Sequence, residues 1–525
     1  MKTYLEKLIR KESLTEKECA DALFKMAEAK SAQVGAFLAL YQAKGETLEE
    51  ILGFIRVLKS VAKPLHLPYS VLDIVGTGGD GAGTINISTG SALLASRCGI
   101  PIIKHGNRAV SSNCGSADVL EALGFSFENP RASLEKTGFG FCFAPDFHPF
   151  LGKIREIRKE LKFPTIFNLI GPLLNPAGTD HLMIGVYKKE YVPLIAEVLS
   201  RLGTKRSLVF HGYGLDELTC LGPTEALLVT QEGIEPLQID PESLGLSLCT
   251  LSDLKGGDAR ENAISLGLAL SGNSPLSDTL ILNAAIALFL YGRVKDVKEG
   301  VAEVRKKMRK KSLKRALQPN SVIAEIKRAS PSKGKIGEIP DPARRAIRYV
   351  EGGAQAISVL THPKFEGSLQ DLREVSYALK NTSIPVIRKD FIEEPLQLAE
   401  AAVHGADAVL LIATRLKERV KNMFELAKQM GLEAIVEVHH FDDLTYIQNA
   451  EIVGVNQRDL TDFSMHPEVY HQLLPHLPKN AIKVAESGIH TLEEAQRLYA
   501  LGFDATLIGE ALTRSPDLLK RPQCV

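Results

Sequence analysis

Eight short apolar runs between residues 322 and 508 constrain the fold of this chain more than any other feature. They are Val322–Ile326, Ala356–Leu360, Pro385–Arg388, Ala408–Ile412, Ala434–Val438, Ile452–Val455, Ile482–Ala485 and Ala505–Ile508. Each is rich in β-branched residues, and stretches with helical apolar spacing separate them. A continuous apolar run bounded in this way reads as a strand buried on both faces. Strands alternating with crossover helices build a parallel sheet, and eight such units close into a (β/α)8 TIM barrel. Chemistry in that fold collects at the C-terminal strand ends. The runs end in Glu325 and Lys327, Arg388-Lys389-Asp390, Glu437, Asn456 and Arg458, Glu486-Ser487-Gly488, and Gly509-Glu510. Any one of these suits a salt bridge. Together they outline a site, because a purely structural barrel needs no ionisable group at so many mouths.

Just upstream, Val301–Asn320 carries eight Lys or Arg against one acid, Glu303. Val301, Val304, Met308, Leu313 and Leu317 keep a helical spacing through the charges, and Pro319 and Asn320 stop the helix. Such a run invites nucleic acid. However, the chain's 63 basic and 63 acidic residues leave no global field to recruit nucleic acid or membrane, and a solvated helix at a domain junction fits better. At 525 residues the chain exceeds one hydrophobic core. The reading is two domains, 1–311 (with 1–63 a helical subdomain) and 312–525 (the barrel). Seven scattered cysteines without metal spacing suit a reduced, cytoplasmic setting. No apolar run reaches the ~20 residues of a membrane span.

The first half reads as an α/β domain behind helices. Met1–Lys59 is helical, with Ser13 or Thr15 as a cap. Val71–Val75 is a buried strand that runs into a loop with five glycines between Gly76 and Gly83. Asn86, Ser88 and Thr89 then open a helix. Glycines that bring bare N–H groups together, followed by a helix start, make a cradle for phosphate. The pattern is neither a Walker A nor a dinucleotide GxGxxG. A second loop, Lys104-His105-Gly106-Asn107-Arg108, leads through Ser111, Ser112 and Ser116 to another helix. Two anion-type loops imply a substrate with more than one phosphate. Asp216 and Glu217 are adjacent carboxylates after a strand, hard oxygen ligands of the kind that suit Mg²⁺.

GTGGD, NIST and KHGNRAVSSNCGSAD, followed in order by IREIRKEL, TIFNLIGPLLNPAG, GLDEL and ILNAA, resemble anthranilate phosphoribosyltransferase. The resemblance covers about the first 300 residues. It implies a nucleoside phosphorylase-like fold and Mg²⁺-dependent transfer of phosphoribosyl from phosphoribosyl pyrophosphate to anthranilate. Carried over by motif, Gly76, Gly79, Asp80, Thr84, Asn86, Ser88, Thr89, Lys104, His105, Gly106, Asn107 and Ser116 bind substrate. Ser88, Asp216 and Glu217 hold the metal, Arg158 anchors the anthranilate carboxylate, and Asn107 and His148 border the acceptor. Pro164 stands where the family usually has arginine. A homodimer through the N-terminal helices is also implied. A pyrimidine nucleoside phosphorylase shares the fold type, but KHGNR and GLDEL argue against it.

In the second half, AEIKRASPSKG, SVLTHPKFEGS, VIRKDF, IVEVH, GVNQRDL, AESGI and LIGEAL resemble indole-3-glycerol phosphate synthase. The implied reaction closes an indole ring from 1-(2-carboxyphenylamino)-1-deoxyribulose 5-phosphate, losing CO₂ and water without a cofactor. Lys389 is the expected general acid, with Lys327 on the substrate carboxylate. Glu437, held by Asn456, serves the dehydration, and Glu325 orients a lysine or the ribulose hydroxyls. Arg458 and Ser487 complete the polar wall, Phe365 and Phe391 enclose the aromatic ring, and Gly488, Gly509 and Glu510 grip phosphate through N–H groups. The family normally carries a longer helical lead-in that partly covers the barrel mouth. A separate phosphoribosylanthranilate isomerase is the expected partner between the two reactions.

Overall fold

A computed structural model describes residues 1–109, 113–330, 334–460 and 462–520. The chain forms two compact units. The first comprises Met1–Ala122, Ser126–Asn262 and Pro275–Lys307; the second comprises Leu123–Phe125, Ala263–Ser274 and the chain from Met308 onward.

The first unit opens with helices Lys2–Ile9, Glu16–Glu28, Ser31–Lys44 and Leu48–Val61. Thr15, rather than Ser13, caps the second: its hydroxyl accepts the Glu18 N–H and the Glu18 carboxylate accepts the Thr15 N–H, a reciprocal pair that satisfies two orphan donors. The apolar faces of these helices merge with Ile166–Ile170 into one core containing Phe37, Tyr41, Phe54 and Phe167. Glu50, fully buried in it, survives there because Lys44 pairs with it at 2.8 Å and the Leu14 and Thr47 N–H groups donate to it.

Seven strands follow: β1 (Leu72–Gly76), β2 (Ile102–Gly106), β3 (Phe139–Phe143), β4 (His181–Gly185), β5 (Arg206–Phe210), β6 (Thr224–Thr230) and β7 (Ile234–Ile239). Their order in the sheet is β3-β2-β1-β4-β5-β6-β7. The first five run parallel, and β6 and β7 are antiparallel additions. The C-terminal ends of β1, β2 and β5 therefore open on the same edge, where ligands of open α/β sheets bind. The Leu276–Leu290 helix is apolar all round and almost wholly buried, as expected for a helix inside a domain.

The second unit is a closed eight-stranded barrel. Its strands are β8 (Ser321–Ile326), β9 (Ala356–Leu360), β10 (Val386–Lys389), β11 (Ala408–Ile412), β12 (Glu433–Val438), β13 (Ile452–Asn456), β14 (Ile482–Glu486) and β15 (Ala505–Ile508). All eight expected runs are strands. β10 begins one residue later than read because Pro385 has no N–H for the ladder. β15 pairs with β8 from Ala505↔Ser321 to Ile508↔Ala324 and closes the ring. A short antiparallel pair after β8, Ala329–Ser330 with Gly334–Lys335, carries no apolar pattern that would have signalled it.

The basic stretch is not one helix, which corrects the sequence reading. The helix Val297–Met308 stops, and a new short one, Leu313–Ala316, starts at Ser312. The Ser312 hydroxyl accepts the Arg315 N–H at 3.1 Å and donates to Glu433 at 2.7 Å, while Glu433 also accepts the Lys314 N–H at 2.7 Å. This docking turns Leu313 and Leu317, both buried, into the barrel interior beside Ala356, Ala408, Ile452 and Ala505, the first residues of their strands. The segment thus closes the barrel floor rather than its mouth. Ser312→Ala is expected to cost about 1 kcal/mol, read as a lower urea midpoint for the barrel's unfolding transition.

Candidate functional site

In the first unit, the glycine loop after β1 folds against the loop after β5. A side chain on Gly76 would collide with the Asp216 carboxylate. Its absence lets Asp216 Oδ2 accept the Gly78 N–H at 2.5 Å. The helix Ile87–Arg97 starts after Asn86 and aims the Ser88 N–H at Glu217 Oε1, 3.4 Å away. From β2, Lys104 Nζ donates to the Ile74 carbonyl at 2.6 Å and to Ser88 Oγ at 3.2 Å. Ser88, Lys104, Asp216 and Glu217 thus converge, as the sequence reading required.

The electrostatics of this cluster are unbalanced. Burial raises Asp216 well above the carboxylate range, and the charges of Glu217 and Asp80 add to the effect. Burial also raises Glu217, with Lys104 opposing. Asp80 Oδ2 is buried without a hydrogen-bond partner. Crowded, desolvated carboxylates with spare lone pairs are a poor resting place for protons and a good one for a hard cation. Among the described residues no three His, Cys, Asp or Glu side chains form a metal cage. Two carboxylates and a hydroxyl instead suit Mg²⁺ that keeps most of its shell for phosphate oxygens.

The remaining residues of this half fall into place around the cluster. Asn86 donates to the Cys114 carbonyl at 3.1 Å and accepts from Asn262 at 3.0 Å. Its side chain therefore stitches the two loops together. Thr84 forms a β-bridge with Lys255, and Thr89 is fully buried within its helix. Ser116 Oγ donates to the Asn107 carbonyl at 3.4 Å and occupies the space that a side chain on Gly106 would need. Ser111 and Ser112 lie outside the described residues. Arg108 turns to Glu121 and Asp118.

His105 and His148 sit 5.1 Å apart, ring to ring. Burial keeps both neutral, His105 down to about 3. His148 Nε2 donates to the Leu174 carbonyl at 2.8 Å. Arg158 donates to Asn168 at 2.9 Å over the Phe167 ring, and burial holds it down to about 10. No carboxylate pairs with it among the described residues, so its charge is available to an incoming acid. Pro164 packs 3.0 Å from where a Gly79 side chain would begin, so the proline supports the glycine loop.

Sequence reasoning missed Asp73. It is wholly buried in β1, accepts the His105 N–H at 3.1 Å and the Asn175 amide at 2.8 Å, and burial pushes it up to about 6. The available signal was a single acid inside the run Val71–Val75.

In the second unit, a solvent-open cavity lies at the C-terminal strand ends. All twelve residues expected there line it: Glu325, Lys327, Phe365, Lys389, Phe391, Glu437, Asn456, Arg458, Ser487, Gly488, Gly509 and Glu510. Lys389 Nζ donates to Glu486 Oε2 at 2.6 Å and stands 3.5 Å from Glu325. Burial alone would pull Lys389 down, but the carboxylates of Glu486, Glu325 and Glu437 hold it well above the lysine range. Lys327, 3.8 Å from Glu325, is instead lowered by burial. The two lysines thus differ in acidity although they share a neighbour.

Phe365 and Phe391 form an aromatic wall, their centroids 6.2 Å apart, with Lys327 over Phe365 at 5.7 Å. Glu510 begins the last helix, and its carboxylate pairs with Arg514 at 3.2 Å. Ser487 has φ +74°, a left-handed conformation that the Tyr470 hydroxyl braces by donating to the Glu486 carbonyl at 2.7 Å.

One expectation is corrected. Asn456 does not hold Glu437, because its side-chain oxygen accepts the Arg458 N–H at 3.0 Å. Glu437 instead faces His439 at 3.2 Å. Glu486, visible in the sequence only as one more strand-end acid, is the group that grips Lys389.

Three family models match the chain: the glycosyl transferase family helical bundle domain over residues 2–62, the glycosyl transferase family a/b domain over 68–311, and indole-3-glycerol phosphate synthase over 291–523. The anthranilate phosphoribosyltransferase of Chlamydia caviae is 47% identical over 313 residues, 58% of this chain and 91% of that protein. That of Bacillus mycoides is 44% identical, covering 57% and 91%. Among solved structures, the anthranilate phosphoribosyltransferase of Thermus thermophilus matches at 41% identity and a TM-score of 0.54, covering 58% of this chain and 93% of that one. The Saccharomyces cerevisiae enzyme in complex with PRPP and Mg matches at 29% identity and 0.53, covering 58% and 92%.

Proposed function

The chain belongs to the anthranilate phosphoribosyltransferase family through its first half and carries an indole-3-glycerol phosphate synthase domain in its second, which makes it a bifunctional enzyme of tryptophan biosynthesis; we propose that the first site joins phosphoribosyl pyrophosphate to anthranilate with Mg²⁺, and that the second converts 1-(2-carboxyphenylamino)-1-deoxyribulose 5-phosphate into indole-3-glycerol phosphate. The join between the two enzymes falls at 311/312 in this reading.

In the transferase, the observation that carries the reading is the convergence of the glycine loop, Ser88, Lys104, Asp216 and Glu217. Mg²⁺ held by Asp216, Glu217 and Ser88 supplies charge neutralisation for the leaving pyrophosphate. The N–H groups of Gly76–Gly83 and the ammonium of Lys104 orient the donor's phosphates. Arg158, buried and without a carboxylate partner among the described residues, takes the anthranilate carboxylate. Neutral His105 and His148 border the acceptor without drawing that charge away. Positioning and electrostatics then do most of the work, since the aromatic amine is itself the nucleophile.

In the synthase, the carrying observation is Lys389 clamped between Glu486 and Glu325. Lys389 donates its proton to the substrate carbonyl oxygen as the ring carbon attacks. Lys327 and the aromatic wall hold the carboxyphenyl ring, and Arg458 and Ser487 border it. The N–H groups of Gly488, Gly509 and Glu510 take the phosphate. Glu437 receives a proton in the dehydration that follows loss of CO₂.

The first product is an N-ribosyl amine and the second substrate a ribulosyl amine, so an aldose–ketose isomerisation must intervene. A separate phosphoribosylanthranilate isomerase supplies it in this reading. Two assays test the proposal: anthranilate-dependent pyrophosphate release, and indole fluorescence from the ribulosyl substrate. Purified chain given anthranilate and phosphoribosyl pyrophosphate is expected to release pyrophosphate yet form no indole until isomerase is added. Indole without isomerase would show direct hand-off. Exposed Ile9 and Phe24 on the N-terminal helices suit the homodimer interface; a monomer by light scattering would exclude it.

A further inference from the structure

His439 follows Glu437 by two residues, and both are almost fully buried, at 2% and 1% exposed side-chain area. Its ring bridges two different partners. Nε2 lies 3.2 Å from Glu437 Oε1, off the axis of a hydrogen bond but within ion-pair range. Nδ1 lies 3.3 Å from Thr414 Oγ1.

The Thr414 hydroxyl proton is already committed to Asp443 Oδ2, at 2.7 Å. Thr414 can therefore only accept from His439. Nδ1 therefore carries a proton, and the Glu437 charge beside Nε2 favours a second one there, which makes the ring an imidazolium. Asp443 is fixed in turn by the His439 and His440 N–H groups, at 2.8 and 3.1 Å. Asp459 adds a further negative charge facing the ring.

On the other side of Glu437, Glu486 presents a second carboxyl. Glu437 Oε2 and Glu486 Oε1 are both buried without a donor. Two carboxylates cannot both stay ionised at close quarters in a dry site, so one proton is shared between them. Lys389 faces both, and donates to Glu486 through its other oxygen. A fixed cation behind Glu437 biases where that proton sits.

We propose that His439 is a positioning residue of the synthase: its imidazolium, braced by Thr414 and Asp443, keeps Glu437 ionised and leaves the shared proton on Glu486. This rests on the synthase activity proposed above. The directions agree, since Glu437 is held low by His439 against burial while burial and Glu437 raise Glu486. The consequence is a division of labour between two like carboxyls. Glu437 is ready to accept a proton, and Glu486 remains a neutral hydrogen-bond partner under Lys389.

The test is the pH profile of kcat for indole formation by the full chain. For His439→Gln, the acid limb is expected to move up by about one pH unit, as loss of a cation at this distance implies. The rate then falls about tenfold at a pH below the wild-type limb and stays close to wild type at a pH on the plateau. Thr414→Val, which keeps the imidazole but removes its brace, is expected to shift the limb the same way by less. An equal loss at both pH values in His439→Gln, or unmoved limbs in both variants, overturns the proposal. If wild type forms no indole-glycerol phosphate, the synthase reading itself fails, a distinct result from an active wild type with an unmoved variant profile.

Discussion

Lys389→Ala is expected to lower indole formation by about 10²–10⁴, the contribution of a well-placed general acid, while anthranilate-dependent pyrophosphate release continues at the wild-type rate. The environment of Lys389 is the reason. The carboxylates of Glu325 and Glu437, with Glu486 accepting its hydrogen bond, keep it charged in a site that would otherwise neutralise it. Lys327 cannot replace it from its place over the Phe365 ring, where it is paired only loosely with Glu325. Removing Lys389 also leaves buried negative charge unpaired, which costs roughly 3–5 kcal/mol. Lost stability and lost chemistry are separated by Lys389→Arg. Arginine restores the charge and the barrel's melting temperature, but its planar, delocalised guanidinium cannot stand in for the compact ammonium that hands a proton to the substrate carbonyl, so the rate stays low. Substantial indole formation by a well-folded Arg variant would remove Lys389 from the acid role.

Asp216→Asn with Glu217→Gln should produce opposite effects on activity and stability. Transferase turnover is expected to drop by about 10²–10³, the scale of losing preorganised charge stabilisation. Without Mg²⁺, the first unit should become more stable at pH 8. Both carboxyls have folded-state pKa values above their unfolded ones. Folding therefore favours their protonated forms, and stability falls as pH rises through the folded values. Neutral amides remove that penalty. Melting curves with and without Mg²⁺ and phosphoribosyl pyrophosphate check both halves: wild type gains from the ligands, whereas the double variant starts higher and gains little. A lower ligand-free melting temperature at pH 8 would mean the carboxylates are satisfied by the protein alone.

Most of the barrel was legible because each strand is a continuous apolar run, and eight such runs spaced by helices suit few architectures besides a closed parallel ring. The mouths were legible for the same reason, since strand alternation leaves the next residues pointing into the cavity. Partnership within the site was not. The resemblance implies that Asn456 holds Glu437, whereas the group that meets Glu437 is His439, two residues along the same chain. Glu486 showed the opposite difficulty. It stood in plain view, but only the closed ring brings β14 to β10 and so identifies it as the acid under Lys389. In the transferase, the glycine loops announced themselves through composition. Asp73 did not, because a buried acid inside a strand is visible only when the His105 backbone and the Asn175 amide it supports can be seen.

The break in the basic stretch turned on a single residue. Apolar spacing from Val301 to Leu317 predicts one helix, but Ser312 offers its hydroxyl to the Arg315 N–H and restarts the helix in a new direction. Periodicity reports which residues are buried and is blind to which of two cores they enter.

Leu313 and Leu317, seated among the first residues of the barrel strands, give the junction a place in the evolutionary history such a chain can have. A flexible tether accepts insertions, deletions and recombination points almost anywhere along its length. Here the tolerant interval shrinks to little more than Arg309, because Lys310 already donates to the Ala406 carbonyl and Lys311 to the Leu379 and Ile384 carbonyls of the barrel, ahead of the buried Leu313 and Leu317. Gene fission, domain shuffling or the gain of a third enzyme in this region would have to strike that short window or rebuild a hydrophobic plug.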